Sequence, residues 1–408
     1  MNCRHCQTRL GDVFIDLVNQ PPSNSFLTRE QLDEPETYFP LKLYVCPKCF
    51  LVQVDEYKKS QDIFSDEYVY FSSISASWVE HARKYVDMAE KRFALDQNSL
   101  IVEIASNDGY LLQWFAKKGV PCIGIEPTAG TAAEALKKGI DTRQFFFSSD
   151  FARRFVESDG KADLLLGNNV LAHVPNINDF VNGLKIALKP GGTITMEFPH
   201  LMQLVEHSQF DTIYHEHFSY LSLTSVNTIF TENGLTVFDV EQLPTHGGSL
   251  RIFARNAEET ARPLTKAISA ILDEEARRGM KTLEYYTGFQ AKADTVKANL
   301  LRFLLAQKEN GKKVAGYGAA AKGNTLLNYC GIKNDLISFC ADASPYKQGL
   351  FLPGSHIPVL APDVIKTERP DYIIILPWNI QEEIMHQHAY IEDWGGRFVT
   401  PIPILEIH

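Results

Sequence analysis

The chain has no run of about 18 apolar residues free of charge, the length that a membrane-spanning helix requires. Its opening residues, MNCRHCQTRL, contain no apolar signal segment, so the expected setting is the cytoplasm, with no membrane partner. Basic residues are in short supply: 40 Lys and Arg stand against 50 Asp and Glu, a net charge of −10. A nucleic-acid binder would show a basic stripe, so nucleic acid is not expected as a partner. A small anionic substrate stays open, because a few local Lys or Arg hold a phosphate whatever the global sign. Cysteine is scarce, with seven in 408 residues, and a reducing compartment disfavours disulfides among them. Hydrophobic residues make up 45% of the chain and charged residues 22%, enough to build real cores. The length suggests two or three domains.

Four of the cysteines form two pairs, Cys3-x-x-Cys6 and Cys46-x-x-Cys49. Two thiolates at this spacing bind one face of a tetrahedral metal, and a second pair completes the site. Strand-like runs at 13–18 and 39–45 can carry the second pair back to the first. A redox role for one pair fits less well, because there are two pairs and no surrounding βαβ pattern. Four thiolates close the shell, so the expectation is structural zinc, with no chemistry at the metal. Cys122, Cys330 and Cys340 lie in apolar patterns and read as small buried hydrophobes.

Residues 63–98 read as helical, with Trp78, Val79, Ala82, Tyr85, Val86 and Ala89 at helical spacing. An apolar strand from residue 99, a turn of small residues and a helix beginning near Tyr110 follow. This is how a Rossmann-like fold brings backbone close to a cofactor. Glu103 ends that strand, and Glu126 ends the next one about twenty residues on, where such an acid accepts from ribose hydroxyls. Dinucleotide binding calls for G-x-G-x-x-G facing a pyrophosphate. The turn here, Ala105-Ser-Asn-Asp-Gly109, has one glycine and an added carboxylate, Asp108. A carboxylate would repel a pyrophosphate but suit the amino and sulfonium groups of S-adenosylmethionine (SAM), so SAM is the expected cofactor. A third strand, at 162–167, leads into the loop Asn168-Asn169-Val-Leu-Ala-His173. Residues 187–197 then read as a helix end, a Pro-Gly-Gly turn and a strand, in the order of a class I SAM methyltransferase.

After that strand comes Tyr214-His215-Glu216-His217-Phe218-Ser219-Tyr220. A buried polar network on a helix is the plain reading. General acid–base work is the sharper one: a histidine titrates near neutrality, a glutamate can fix its tautomer, and a tyrosine can donate to a developing oxyanion. His173 is either a satisfied loop histidine or a second active-site residue. Residues 256–310 read as a helical connection with Leu283, Phe289, Val296, Leu300, Phe303 and Leu304 as core positions. A second strand, glycine turn and helix follow at Lys312-Lys-Val-Ala-Gly-Tyr-Gly-Ala-Ala-Ala-Lys322-Gly-Asn-Thr, then strands at 336–341 and 372–376. A glycine turn at a helix N-terminus is an anion site. Taken alone it would also suit a dinucleotide, although Ala-Ala-Lys displaces the third glycine.

The paired CxxC, E-I-x-x-N-D-G-x-L-L, N-N-V-x-A-H, Y-H-E-H-F-x-Y, H-G-G-S-L-R (residues 246–251) and G-Y-G-A-A-A-K-G (residues 316–323) occur in that order. This series resembles the nucleotide-sugar C-methyltransferases, a family that includes the D-tetronitrose C-3-methyltransferase, over essentially the whole chain. Ala105 departs from the glycine that methyltransferases often carry there. The resemblance implies an α/β chain: a zinc-binding domain at 1–62, a class I methyltransferase domain at 63–255, and a helical connection with a Rossmann-like sugar-nucleotide domain at 256–408. It implies a nucleoside-diphosphate 4-keto-deoxysugar substrate, methylated at C-3 through an enolate. His217 is then the base, with Tyr214 and Glu216 its neighbours, His173 a second active-site histidine, and Tyr68 near the sugar. Glu103, Ala105, Asn107, Asp108, Gly109, Glu126 and Asn168 are the candidate cofactor contacts. Tyr70, His246, Arg251, Lys322, Asn324 and Lys347 are the candidate substrate contacts, with Lys322 and Lys347 for phosphate. The alternatives are an O- or N-methyltransferase of another small molecule, which needs no enolate, and a zinc-ribbon binding protein without catalysis.

Overall fold

The computed structural model describes residues 1–59 and 71–408. Tyr68, Tyr70 and the expected boundary at 62–63 lie outside the described residues. Strands β1 (Asp12–Gln20), β2 (Phe39–Val45) and β3 (Val52–Val54) pair antiparallel. In β2, Leu41, Leu43 and Val45 alternate inward, the period of a sheet with one buried face. Phe14 of β1 stacks on Phe289, ring centroids 4.7 Å apart, which fixes this sheet against the helix Phe289–Glu309.

The helical run expected at 63–98 is Ala76–Phe93. Ser75 caps it by accepting from Trp78 N, Ala94 ends it in a left-handed turn, and Ala82, Tyr85, Val86 and Ala89 form its buried stripe. The central sheet follows: β4 (Ile101–Ile104), β5 (Cys122–Ile125), β6 (Thr142–Arg143), β7 (Ala162–Asn168) and β8 (Leu188–Pro199). Next, β9 (Ser219–Tyr220) leaves this sheet to pair with β3, and β10 (Leu235–Leu243) and β11 (Ser249–Asn256) return to it. The order is β10-β11-β8-β7-β4-β5-β6, with β4 to β8 parallel and β11 antiparallel to both its neighbours. That is the class I SAM methyltransferase fold. Helices on both faces account for continuous apolar runs such as the buried Leu164, Leu165 and Leu166. The expected Pro-Gly-Gly turn lies within β8: residues 189–192 have no partner in β7, and Gly191 has φ of 75°. The helix Ile177–Ala187 runs straight into β8, and Pro190, Gly191 and Gly192 sit inside that strand beside a register slip in its pairing with β7.

The helices Lys266–Arg277, Glu284–Thr287 and Phe289–Glu309 connect to a second parallel sheet. It contains β12 (Val314–Tyr317), β13 (Cys340–Ala341), β14 (Val359–Leu360), β15 (Tyr372–Ile375), β16 (Arg397–Thr400) and an antiparallel edge, β17 (Glu406–Ile407). The order is β14-β13-β12-β15-β16-β17, doubly wound about β12 and β15. The strand expected at 336–341 pairs only over its last two residues. The sheets are stitched together. Leu27 and Phe351 exchange backbone hydrogen bonds of 3.0 and 2.8 Å, and Thr325 Oγ1 donates to Ile213 O at 2.7 Å. One apolar core contains Phe14, Leu43, Phe210, Tyr286, Leu326 and Val399, side chains from all three regions. Among the described residues no helix is long and apolar enough to cross a membrane.

Candidate active site

Each cysteine pair ends in the same turn. Gln7 and Phe50, the residues after Cys6 and Cys49, adopt φ of 60° and 57°, and their N–H groups donate to Cys3 O and Cys46 O at 3.0 Å. The turns bring Cys3 Sγ to 3.5 Å from Cys49 Sγ, and Cys6 Sγ to 3.5 and 3.7 Å from those of Cys46 and Cys49. A tetrahedron with Zn–S bonds of about 2.3 Å has edges of about 3.8 Å. The donor set therefore fits zinc, and four thiolates leave no open position, so the zinc is structural. Metal analysis should give about one zinc per chain. Cys46→Ser should lose most of that zinc and melt at a lower temperature; a zinc-free protein of unchanged stability would contradict this.

A cavity of about 610 Å³ lies where the carboxyl ends of the two parallel sheets face each other. Open α/β sheets bind ligands at such switch points, and here the β4/β7 and β12/β15 switch points share one space. Its wall draws on every region: Asn24 from the loop after β1, Asn107 and Glu126 from the methyltransferase sheet, His217, and Lys322 and Asn379 from the C-terminal sheet.

On the methyltransferase side, the loop after β4 turns sharply through Ala105, Asn107 and Gly109, at φ of 56°, 50° and 74°. Ala105 holds the left-handed conformation that glycine adopts without steric cost, so its departure from glycine costs strain but leaves the turn intact. A side chain at Gly124 of β5 would collide with Ser106 of this loop. Glu126 ties the loop down. Its Oε2 accepts from Asn107 N at 2.9 Å, and its Oε1 accepts from Thr128 N at 2.9 Å and from the Thr128 hydroxyl. A carboxylate has about four acceptor positions, which leaves one on Oε2 for a ribose hydroxyl. Asn107 Oδ1 accepts from Ser72 N at 2.8 Å, and Asn168 Nδ2 donates to Tyr110 Oη at 3.3 Å in the same wall. These residues fit SAM. Glu126→Ala removes both the acceptor and the loop's anchor, so SAM affinity should fall about 10- to 100-fold by calorimetry. An unchanged affinity would take Glu126 out of the site.

The segment from Tyr214 to His217 is a turn, not a helix. It follows the short 3-10 segment Phe210–Thr212 and is pinned by Tyr214 N donating to Tyr220 Oη at 3.1 Å. His217 and His173 meet edge to face, centroids 4.6 Å apart, and the Tyr214 ring lies 4.1 Å from His217. Each imidazole is fixed by a backbone carbonyl: His217 Nδ1–H donates to Thr212 O at 3.2 Å and His173 Nδ1–H to Glu216 O at 2.8 Å. A carbonyl only accepts, so both Nδ1 atoms carry the proton and both Nε2 atoms keep a lone pair. Burial holds His217 well below the ordinary imidazole range, helped by His173, and lowers His173 to about 4. His215 points away; its Nε2 lies 3.3 Å from Pro40 O and its ring packs on Phe39. The Glu216 side chain does not orient a histidine as expected. It accepts from Asn24 Nδ2 at 2.7 Å, and burial raises its carboxyl to about 7.

On the C-terminal side, Lys322 Nζ donates to Asn379 Oδ1 at 2.6 Å and sits 4.6 Å from the centre of the Trp378 ring. Burial lowers its pKa, opposed by the charge of Asp211, whose own carboxyl burial raises to about 6. Trp378 Nε1 donates to Asp211 Oδ2 at 2.7 Å. Lys347 Nζ donates to Ala319 O at 2.8 Å in the same wall. Gly247, at φ 85°, lets Trp378 approach; a Cβ there would collide with the indole. Gly247→Ala should therefore displace Trp378 and Lys322, raising the KM for an anionic substrate severalfold while SAM affinity holds. Overpacking of this kind costs about 1–3 kcal/mol of stability. Unchanged KM and stability would contradict this contact.

Several expected contacts lie elsewhere. Asp108 is not in the cavity wall: its carboxylate is paired with Lys138 Nζ at 2.9 Å and bound by the Ser73 hydroxyl. Glu103 is buried outside the wall, its carboxyl raised well above the ordinary range by burial and by the charges of Glu126 and Asp108. Gly109 turns the loop without lining the cavity. Arg251 is turned into the sheet, 2.6 Å from Glu197 Oε2, and Asn324 Nδ2 is spent on Ser23 O at 2.6 Å. His246 does line the cavity; Asn169 Nδ2 donates to its Nε2 at 2.9 Å and its ring lies 5.0 Å from Trp78. Asn24, Trp78, Asn169 and Asn379 line it without having been singled out from the sequence.

Family models match three consecutive stretches: a zinc binding domain over residues 3–64, a methyltransferase domain over 78–240, and a C-methyltransferase C-terminal domain over 244–403. The chain is 36% identical over 406 residues to C-methyltransferase NovU of Streptomyces niveus, covering 98% of this chain and 95% of that one. Among solved structures it is similar to magnesium protoporphyrin IX methyltransferase (ChlM) of Synechocystis PCC 6803 with bound SAH, at 14% identity and TM-score 0.36, covering 46% of this chain and 88% of that one. It is likewise similar to a SAM-dependent methyltransferase of Anabaena variabilis, at 13% identity and TM-score 0.36, covering 43% and 84%. The protein is a SAM-dependent methyltransferase with a structural zinc. More narrowly, the chain belongs to the C-methyltransferase family that includes NovU. That membership sets aside the reading as a zinc-ribbon binding protein without catalysis.

Proposed function

We propose that this enzyme methylates a carbon, C-3, next to the ketone of a nucleoside-diphosphate 4-keto-deoxysugar. The observation that carries the reading is the pair of buried imidazoles, His217 and His173, in edge-to-face contact and each donating from Nδ1 to a backbone carbonyl, beside Tyr214 in a cavity shared with two lysines. In the proposed reaction His217 Nε2 takes the proton from the carbon adjacent to the ketone. The C–H electron pair becomes the carbon–carbon double bond of an enolate, and the ketone oxygen takes the negative charge. The Tyr214 hydroxyl stabilises that oxygen; His173, whose Nδ1–H is bound to Glu216 O, carries no proton at Nε2 to give it. Glu126, Asn107, Asn168 and Ala105 would hold SAM, whose sulfonium would supply the methyl group to the nucleophilic carbon, the methyl C–S electron pair leaving on sulfur as S-adenosylhomocysteine. Lys322 and Lys347 hold the diphosphate at the C-terminal end of the cavity, and His246 lies between the two ends. A zinc module at 1–62, a methyltransferase unit at 63–255 and a sugar-nucleotide unit at 256–408 form the corresponding division of labour.

Transfer to oxygen or nitrogen needs no enolate, so proton exchange separates the readings. Nucleoside-diphosphate 4-keto-deoxysugars incubated with the enzyme in deuterated water should gain deuterium beside the ketone, followed by proton NMR. A substrate that is methylated with SAM, yet shows no such exchange when an unreactive SAM analogue takes its place, would count against the enolate.

A further inference from the structure

Glu216 is reached from outside the methyltransferase sheet. Its partner Asn24 belongs to the loop after β1, in the region that carries the zinc cysteines, and lines the same cavity. That loop is clamped on several sides. Gln20 Nε2 donates to Leu17 O at 3.0 Å at its start, the buried Asn324 donates to Ser23 O at 2.6 Å, and Leu27 pairs with Phe351 at its end. The residues that hold Ser23 and Leu27 come from the C-terminal sheet's side, so Asn24 is placed by the whole assembly.

We infer that Asn24 is a positioning residue, which orients the Glu216 carboxylate and favours its ionised form, so that the N-terminal region takes part in the acid–base site as well as holding zinc. This rests on the reading of residues 214–217 as acid–base machinery. An amide N–H only donates, and it binds a carboxylate more strongly than a carboxylic acid. Burial alone pushes the Glu216 carboxyl up, and the Asn24 bond followed by the charge of Lys58 pulls it back, to about 7. The other titratable groups around it are His173, whose Nδ1–H is bound to the Glu216 carbonyl, the adjacent His215 and His217, Tyr220, and Glu56 and Lys59 in the cavity wall. Burial is the larger influence, and the hydrogen bond that crosses the boundary between the two regions is the strongest one opposing it.

The test needs no substrate. In full-length, zinc-loaded protein labelled with carboxyl-carbon-13 glutamate, one resonance should titrate near neutrality and be missing from Glu216→Gln. In Asn24→Ala the same resonance should titrate about one pH unit higher, the size expected for one hydrogen bond to a charged group. In the near-isosteric Asn24→Asp it should move further up, because a second carboxylate then faces the first. Equal zinc content and melting temperature across the variants exclude a general loss of structure. A Glu216 resonance that stays in place in both Asn24 variants, or that titrates as an ordinary exposed glutamate in the unaltered protein, overturns the inference. The wider reading fails separately, if His217→Asn leaves proton exchange intact.

Discussion

His217→Asn should leave SAM and substrate binding in place and lower turnover and solvent exchange at the sugar carbon about 10²–10⁴-fold, the usual contribution of a positioned general base. A C–H beside a ketone is too weak an acid to lose its proton to water at neutral pH, so the enzyme must supply a base. In the proposed reaction that base is His217: Thr212 O fixes its Nδ1 proton, and burial keeps it uncharged with a lone pair at Nε2. His215, two residues away, is the internal control. It lies against Phe39 and Pro40 and not in the cavity wall, so His215→Asn should be much milder. If His215→Asn abolishes exchange and His217→Asn spares it, the assignment is reversed.

Arg251→Ala should destabilise the protein by about 3–5 kcal/mol, the cost of leaving a buried charge without its partner. Glu197 is fully buried and is held by Arg251, by His81 Nε2 at 2.9 Å and by Thr245 Oγ1 at 2.9 Å. Burial opposes its ionisation, but the His81 bond and the Arg251 charge prevail and bring it to about 2. A folded pKa below the unfolded value of about 4.3 stabilises the protein above that value. The contribution should fade as pH falls from about 4 toward 2, and urea unfolding across that range checks it. In Arg251→Ala that acid-dependent component should shrink, while the substrate KM of the folded fraction stays near normal. A large rise in KM at unchanged stability would instead restore Arg251 to the substrate site.

The parts of this molecule that were legible in its sequence are the ones set by local pattern. The two CxxC turns, the apolar run of β7 and the spacing between Glu103 and Glu126 each announce an element within a few residues. The side chains that complete the cavity do not. Asn24 reaches Glu216 across 192 residues of chain, and Asn379 reaches Lys322 across 57. An asparagine in a loop carries no periodic signal, and its role exists only once the sheets have packed. The errors have the same origin. Asp108 has the right charge in the right turn, but Lys138, at the end of the helix Ala129–Lys137, claims it. Arg251 ends a motif that resembles a substrate loop, yet β11 pairs with β8 and delivers its side chain to Glu197.

The most direct measurement of the central claim is the fate of a labelled methyl group. SAM carrying a carbon-13 methyl is incubated with the enzyme and a panel of nucleoside-diphosphate 4-keto-deoxysugars, and the product is examined by NMR. A new carbon–carbon bond should appear at the position next to the ketone, formed by the unaltered enzyme and lost in His217→Asn. A methyl group found on oxygen or nitrogen, or carbon methylation that survives the loss of His217, would contradict it.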